Sequence, residues 1–392
     1  MAKRFLIATM SMGGGHGMAG QCVADALREL APDCEPRVID ICDHLAPWFR
    51  TLYGSGYLFM VRHIPWLWGF LYRHPARRGG TLPPWLLRRV ARPYERLVAD
   101  TRPDAILTTQ ITASEATDSL RARGLHAGAT ATIVTDFDAH PSWRADGIDR
   151  FFVPDEAIVE GFLRLGIPAR RVEATGIPIR PAFEQSFDVP ALKAKHGVRP
   201  DARVVLLMGG SLGMGQMEQA ASQLLAADGP CDLLIVTGHN QRLRSRLERL
   251  KATGESRPKR RSRVERLEAI GENRLRVFGF IDYVHELMAI SDLFISKPGG
   301  LSMTEAVTLG VPTLAVDPLP GQEMANARHL ESRGLIHWLR PGEPLMPAVG
   351  ALLQDAEARA RLSAAGRAYA LRGAARRIAA RLLALNDPRK SL

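Results

Sequence analysis

Apolar residues along this chain come in short unbroken runs, each closed by a turn and followed by a stretch with helical spacing. Phe5-Leu6-Ile7-Ala8 is the first such run, and DAILTT (104–109), ATATIVTD (129–136) and RFFVPD (150–155) follow it. Continuous runs of this length suit strands buried on both faces of a parallel sheet. Between them, segments such as VADALREL (23–30) place apolar residues at helical intervals. The alternation predicts an α/β fold with helices on both faces of a parallel sheet. The segment GIPIRPAFEQSF (176–187) is broken by prolines and lacks periodicity, so it reads as a linker. The pattern then restarts with Arg203–Met208 as a strand, Gly209–Gly215 as a glycine loop and MEQAASQLLAA as a helix. DLLIVTG (232–238), RLRVFGF (274–280) and DLFISKPGG (292–300) supply further strands. The expected architecture is two doubly wound, Rossmann-like domains facing a cleft, 1–180 and 181–370, with 371–392 as a helix and tail packing back on the first. Ligands of such sheets bind beyond the carboxyl ends of the strands.

Composition fits this picture. The 392 residues, 46% hydrophobic and 24% charged, suffice for two cores. A net charge of +11 favours anionic partners: nucleic acid, an acidic membrane face or phosphorylated substrates. Cys22, Cys34, Cys42 and Cys231 form no CxxC pair, which points to a reducing compartment and no structural metal. The N-terminal apolar run is too short for a signal peptide. No stretch approaches the roughly 20 apolar residues of a spanning helix. Residues 44–100 crowd aromatics, Trp66 and Trp68 among them, with arginines from Arg50 to Arg92, while Arg62, His63 and Pro65 interrupt the apolar run. Two readings stand for this region: a segment lying in the interface of an anionic membrane, or an insertion packed on the protein's own core. No nucleic-acid motif accompanies it. The basic run from Arg242 to Arg266 reads as a solvated helix and loop.

Chemistry concentrates in the turns. MSMGGGHGMAG (10–20) follows the first strand, and its Gly15, Gly17 and Gly20 spell G-x-G-x-x-G, with Asp40 at the end of the next apolar run. That is the pattern of an NAD site. A denser run is KPGGLSMTEA (297–306), where a strand ends, two glycines turn the chain and a helix begins with Ser302 as its expected cap. The amides of such a helix start suit a diphosphate. Glu305, one turn in, suits ribose hydroxyls. Gln322 and Glu323, on the PGQE turn, offer an amide and a carboxylate to a polyhydroxy ring. Asp136 and Asp138 spell a D-x-D pattern.

Taken together, GGGH, VTDFDAHPSW (134–143), GGSLG (209–213), GFIDYVHELMAISDLFISKPGGLSMTEAVTLGVP and PLPGQEMAN resemble the processive diacylglycerol glycosyltransferases and monogalactosyldiacylglycerol synthases. These are members of glycosyltransferase family 28, which also holds the UDP-GlcNAc transferase of peptidoglycan assembly. The resemblance implies a GT-B fold and an inverting, metal-independent transfer of glucose or galactose from a UDP-sugar to diacylglycerol, with no cofactor. It implies His16 as base, supported by Asp136, with Asp136 orienting His16 or the acceptor hydroxyl. Gly210, Ser211, Leu212, Gly299, Gly300, Leu301 and Ser302 would meet the diphosphate, Phe280 and Ile281 the uracil, Glu305 the ribose, and Gln322, Glu323 and Asn326 the hexose. Gly14, Gly15, His140, Trp143, Trp66 and Trp68 would face the acceptor. The partners implied are UDP-glucose or UDP-galactose, diacylglycerol and anionic lipids, not nucleic acid. The location is peripheral, at the cytoplasmic face of a membrane. A polyprenyl-linked acceptor, an NAD-dependent oxidoreductase and a non-catalytic membrane or nucleic-acid binder are the other readings. The basic insert at 254–263 has no counterpart in the family pattern.

Overall fold

The computed structural model describes residues 2–10, 14–73, 82–211, 213, 215–226, 231–255 and 274–385. Leu212 and residues 256–263 of the basic insert lie outside them. The chain divides into two compact units. One comprises Met1–Pro181, Leu319–Asn326 and Leu371–Leu392; the other comprises Ala182–Pro318 and Ala327–Ala370.

The first unit carries strands β1 (Arg4–Thr9), β2 (Glu35–Asp40), β3 (Ala105–Thr108), β4 (Ala129–Ile133), β5 (Arg150–Val153) and β6 (Val172–Ala174). Its helices are α1 (Gly15–Leu30), α2 (Pro47–His63), α3 (Pro65–Arg73), α4 (Pro84–Val90), α5 (Arg92–Thr101), α6 (Ile111–Ala122) and α7 (Glu156–Arg164). The second carries β7 (Arg203–Met208), β8 (Cys231–Val236), β9 (Leu275–Phe278), β10 (Leu293–Ser296), β11 (Thr313–Ala315) and β12 (His337–Trp338). Its helices are α8 (Val189–Lys195), α9 (Met217–Ala226), α10 (Gln241–Glu255), α11 (Val284–Ala289) and α12 (Gly300–Leu309). Then come α13 (Gln322–Ser332), whose residues to Asn326 belong to the first unit, α14 (Leu345–Gln354) and α15 (Ala356–Tyr369). α16 (Ala374–Leu385) returns the chain to the first unit.

Both sheets have six strands, all parallel, in the orders β2-β1-β3-β4-β5-β6 and β12-β11-β10-β7-β8-β9. The central strands are the most apolar because helices cover both faces: every residue of β3 and of β10 is buried. In the first unit one core joins Ile7, Leu107 and Ile133 to α1 and to Ile378, Ala379 and Leu382 of α16. The opposite core takes Leu6 and Ile106 against Phe49, Val90 and Tyr94. A Cβ added to Gly20 of α1 would sit 2.5 Å from Thr9 Cγ2 and 3.1 Å from Ile7 Cγ2, so glycine there lets helix and strand touch. Arg381 pairs with Glu173 at 2.8 Å and Arg376 with Glu29 at 3.2 Å, across exposed ground where each ion pair adds little.

Open parallel sheets bind ligands at the point where strand order reverses. In the second sheet the order, read from β9, is that of a dinucleotide-binding fold, and strand order reverses between β7 and β10. In the first it reverses between β1 and β3. The glycine loops seen in the sequence follow β1, β7 and β10, so each lies at a reversal point.

Candidate active site

At the reversal point of the first sheet, Gly14 takes φ 74°, a left-handed conformation, and starts α1 without a side-chain cap. His16 stands in the first turn of that helix. Its Nδ1 lies 2.7 Å from the carbonyl oxygen of Thr109, just beyond β3, and 2.9 Å from Oγ1 of Thr135, beyond β4. A carbonyl can only accept, so Nδ1 carries the proton and the lone pair is on Nε2. Burial pushes the imidazole below its ordinary pKa of 6.5, against the opposing pull of the Thr109 carbonyl, and the ring is neutral at pH 7. His16 Nδ1–H therefore donates to Thr109 and faces the Thr135 hydroxyl, whereas Asp136 bonds to Asn326. Those partners are 93 and 119 residues away in sequence, and only the strand order shows them.

Asp40, the acid of the expected NAD pattern, accepts the Cys42 N–H at 2.9 Å and so caps the short turn after β2. Gly20 of the same pattern is explained by packing on Thr9.

Asp136 Oδ1 accepts from Asn326 Nδ2 at 3.1 Å, and Asn326 Oδ1 accepts from the Phe137 N–H at 2.7 Å. Asn326 is fully buried. Burial raises the Asp136 carboxyl to about 6 despite the Asn326 hydrogen bond, with Asp138 adding to the rise. Next to it the Tyr72 hydroxyl donates to Asp138 Oδ2 at 2.7 Å. The Tyr72 ring stacks on His140 at 4.0 Å, and the Tyr72 carbonyl accepts from His140 Nε2 at 2.7 Å. Burial and the two nearby aspartates push the Tyr72 phenol up, so it stays protonated and a donor. Trp143 departs from expectation: it is 2% exposed and packs with Val134, Phe151 and Phe162 in a core rather than facing an acceptor.

The turn before α13 also belongs to this unit. Glu323 Oε2 accepts the Leu319 N–H at 2.6 Å and closes the turn. Gln322 Oε1 accepts from Trp68 Nε1 of α3 at 3.3 Å. Trp66 on the same helix is 69% exposed, and Trp48, Leu52, Phe59 and Phe70 of α2 and α3 are also exposed.

In the second unit, the loop after β7 folds against the end of β8. His239 N–H donates to Ser211 O at 2.9 Å, Asn240 Nδ2 to Gly213 O at 3.1 Å, and Gly213 N–H to Gly210 O at 3.1 Å. Gly213 has φ 54° and a Cβ there would meet Thr237 O at 2.4 Å, so both conformation and space demand glycine. α12 begins after β10 with Gly299 as its cap residue, and no side chain caps it. This corrects the expectation for Ser302, which lies inside the helix because the turn is made three residues earlier, at Gly299. The first amides, of Gly300, Leu301 and Ser302, therefore have no partner within the helix. Gly299 has φ −72°, and a Cβ there meets nothing within 4 Å, so neither conformation nor packing requires glycine. Glu305 is buried on α12, and Lys297, a residue to which sequence reasoning gave no role, is buried at the end of β10. Asp317, left-handed at φ 46°, accepts the Gln216 N–H at 3.1 Å. Phe280, 57% exposed beyond β9, stacks on His239 at 4.4 Å, and Ile281 beside it is partly buried. Exposed aromatic faces of this kind suit a flat base.

No group of three or more His, Cys, Asp or Glu side chains positioned to hold a metal occurs among the described residues. No helix among them is long and apolar enough to cross a membrane.

Residues 16–179 match the monogalactosyldiacylglycerol (MGDG) synthase family, and residues 204–342 match the glycosyltransferase family 28 C-terminal domain. The processive diacylglycerol beta-glucosyltransferase of Bacillus subtilis (strain 168) is 32% identical over 226 residues, 58% of this chain and 55% of that protein. The chain thus spans about half the length of the curated relatives it matches. Among solved structures, Acinetobacter baumannii MurG superposes with a TM-score of 0.60 at 17% identity, covering 97% of this chain and 99% of that one. Anabaena HepE in complex with UDP and glucose superposes with a TM-score of 0.56 at 17% identity, covering 97% and 99%. The fold is GT-B.

Proposed function

On the premise that residues 16–179 are an MGDG-synthase-type domain and residues 204–342 a glycosyltransferase family 28 C-terminal domain, we propose that this chain is an inverting glycosyltransferase that moves glucose from UDP-glucose to the hydroxyl of diacylglycerol. The product is a β-glycosyldiacylglycerol. The observation that carries this reading is the fixed tautomer of His16, whose Nδ1–H is held by Thr109 and whose Nε2 keeps its lone pair at a sheet reversal point. A neutral imidazole of lowered pKa is a base at pH 7. It takes the proton of the acceptor hydroxyl as that oxygen attacks the anomeric carbon and UDP departs from the opposite face. Asp136, ionised above about pH 6, steadies the acceptor hydroxyl.

The departing diphosphate needs positive potential. The uncapped start of α12 supplies amides and dipole, and the Gly210-Ser211 turn adds backbone beside it at the β7–β10 reversal. No divalent cation is required. Phe280 and Ile281 take the uracil, Glu305 the ribose, and Gln322 and Glu323 the hexose. The exposed aromatic face of α2 and α3, with the chain's positive charge, seats the protein on an anionic membrane, peripherally and on the cytoplasmic side.

Glucose is supported by the name of the Bacillus relative; galactose is the second reading, favoured by the MGDG synthase match. The test is transfer to diacylglycerol in anionic vesicles from each UDP-sugar with EDTA present, followed by the anomeric proton coupling of the glycolipid. A β-glucolipid is expected. An α-linked product, or transfer that stops with EDTA, refutes the mechanism.

A further inference from the structure

The turn Pro320–Glu323 and helix α3 are far apart in sequence, yet three successive contacts join them within the first unit. A Cβ added to Gly69 of α3 would lie 2.7 Å from Pro320 Cβ, so the helix presents bare backbone to the proline ring. Gly321, left-handed at φ 102°, presents its own bare face to Tyr72, whose Cγ would be 2.9 Å from an added Cβ. Trp68 Nε1 donates to Gln322 Oε1 at 3.3 Å. These residues occupy one side of α3, since positions 68, 69 and 72 follow each other at helical spacing. The other end of the network is fixed as well, because Tyr72 donates to Asp138 and stacks on His140.

An indole N–H can only donate, so the Gln322 atom facing Trp68 is the amide oxygen and Nε2 is turned away from it. An isolated glutamine amide presents either end to a ligand; this one is held one way round. We propose that Trp68 and Gly69 are positioning residues for the donor sugar: α3 sets the place of the turn and the flip of the Gln322 amide, and so decides which hydroxyl pattern the turn accepts. Trp68 thereby acts on the donor side and not, as its place in the aromatic region implied, as a contact for the lipid acceptor. The inference rests on the reading of Gln322 as a hexose contact. Chemically, an amide whose NH₂ faces the sugar is a donor to a ring hydroxyl acting as acceptor. Freed to flip, it offers an acceptor in half of its states and tells two epimers apart less sharply.

The experiment is calorimetric binding of UDP, UDP-glucose and UDP-galactose to the full chain and to Trp68→Phe and Gly69→Ala. Trp68→Phe keeps the ring and removes only the N–H. Gly69→Ala favours the helix by intrinsic propensity but intrudes on Pro320, so a melting curve at or above that of the wild type separates misplacement from unfolding. UDP affinity is expected to stay within twofold in both variants. Affinity for the preferred UDP-sugar should fall about fivefold, the worth of one ordinary hydrogen bond, and the ratio between the two sugars should shrink. Unchanged sugar affinity and unchanged ratio in both variants overturn the inference while leaving UDP binding intact. Wild-type protein that binds no UDP overturns the function on which it rests.

Discussion

Replacing Asp136 with asparagine tests the electrostatics of the site, because the structure makes opposite predictions for stability and activity. Burial lifts the Asp136 carboxyl from 3.8 to about 6, and the Asn326 hydrogen bond only partly opposes it. A group whose folded pKa lies above its unfolded value favours folding in its protonated form. Its stabilising contribution is complete below about pH 4 and is lost as pH rises through about 6. A shift of about two units corresponds to about 3 kcal/mol of stability forgone by holding the ionised carboxylate at pH 7 and above. Asp136→Asn removes the charge, keeps the shape and keeps an oxygen to accept from Asn326 Nδ2. At pH 8 the variant's first unit should be more stable by about 2–3 kcal/mol, a rise of several degrees in its melting transition. Below pH 4 the two proteins should melt together. Transfer should meanwhile fall in the variant at every pH. Melting curves from pH 4 to pH 8 supply the measurement. A variant less stable than wild type at pH 8, or a difference that does not change with pH, refutes the reasoning, since it means the native carboxylate is not under strain.

Three further outcomes follow from the same geometry. In wild-type protein, activity should hold its plateau to below pH 6.5 on account of His16 and decline as the imidazole protonates; Asp136, at about 6, sets a second fall in the same direction, and Asp136→Asn should leave only the His16 limb in its residual activity. Gly20→Ala should cost about 1–3 kcal/mol in thermal stability by overpacking against Thr9, with no effect on nicotinamide nucleotide, which the protein should not bind. Trp143→Ala should lower stability by about 3–5 kcal/mol, while the surviving folded protein keeps its apparent KM for lipid, because the ring fills a core.

The sheets were legible in the sequence for a physical reason. Central parallel strands covered on both faces are mostly apolar, so they appear as unbroken runs; β3, β7 and β10 fall within the runs read from the chain, and β1 and β8 overlap theirs. Glycine loops were legible because left-handed turns such as Gly14 and Gly210 exclude side chains. What the chain does not display is pairing at long range. Nothing local to His16 points to Thr109 or Thr135, and nothing local to Asn326 points to Asp136; those partners exist because the sheet brings β1, β3 and β4 side by side and α13 starts within the same unit. Trp143 shows a second limit: an aromatic residue in a loop beside a motif looks the same whether it faces a ligand or fills a core. Ser302 shows a third, since a serine near a helix start is a cap only if the chain turns there, and here it turns at Gly299. The family resemblance supplied roles for residues such as Glu305 and Gln322 that periodicity and spacing alone leave open.

The central claim is that His16, held by Thr109, is the base for transfer to a lipid hydroxyl. The most direct test is incorporation of labelled sugar from UDP-glucose into extractable lipid by the wild type and by His16→Ala, in anionic vesicles of diacylglycerol with EDTA throughout. The account predicts labelled lipid from the wild type and a rate about 10²–10⁴ lower in the variant, with UDP binding unchanged. Equal rates in the two proteins, or no labelled lipid from a wild type that binds UDP, would contradict it.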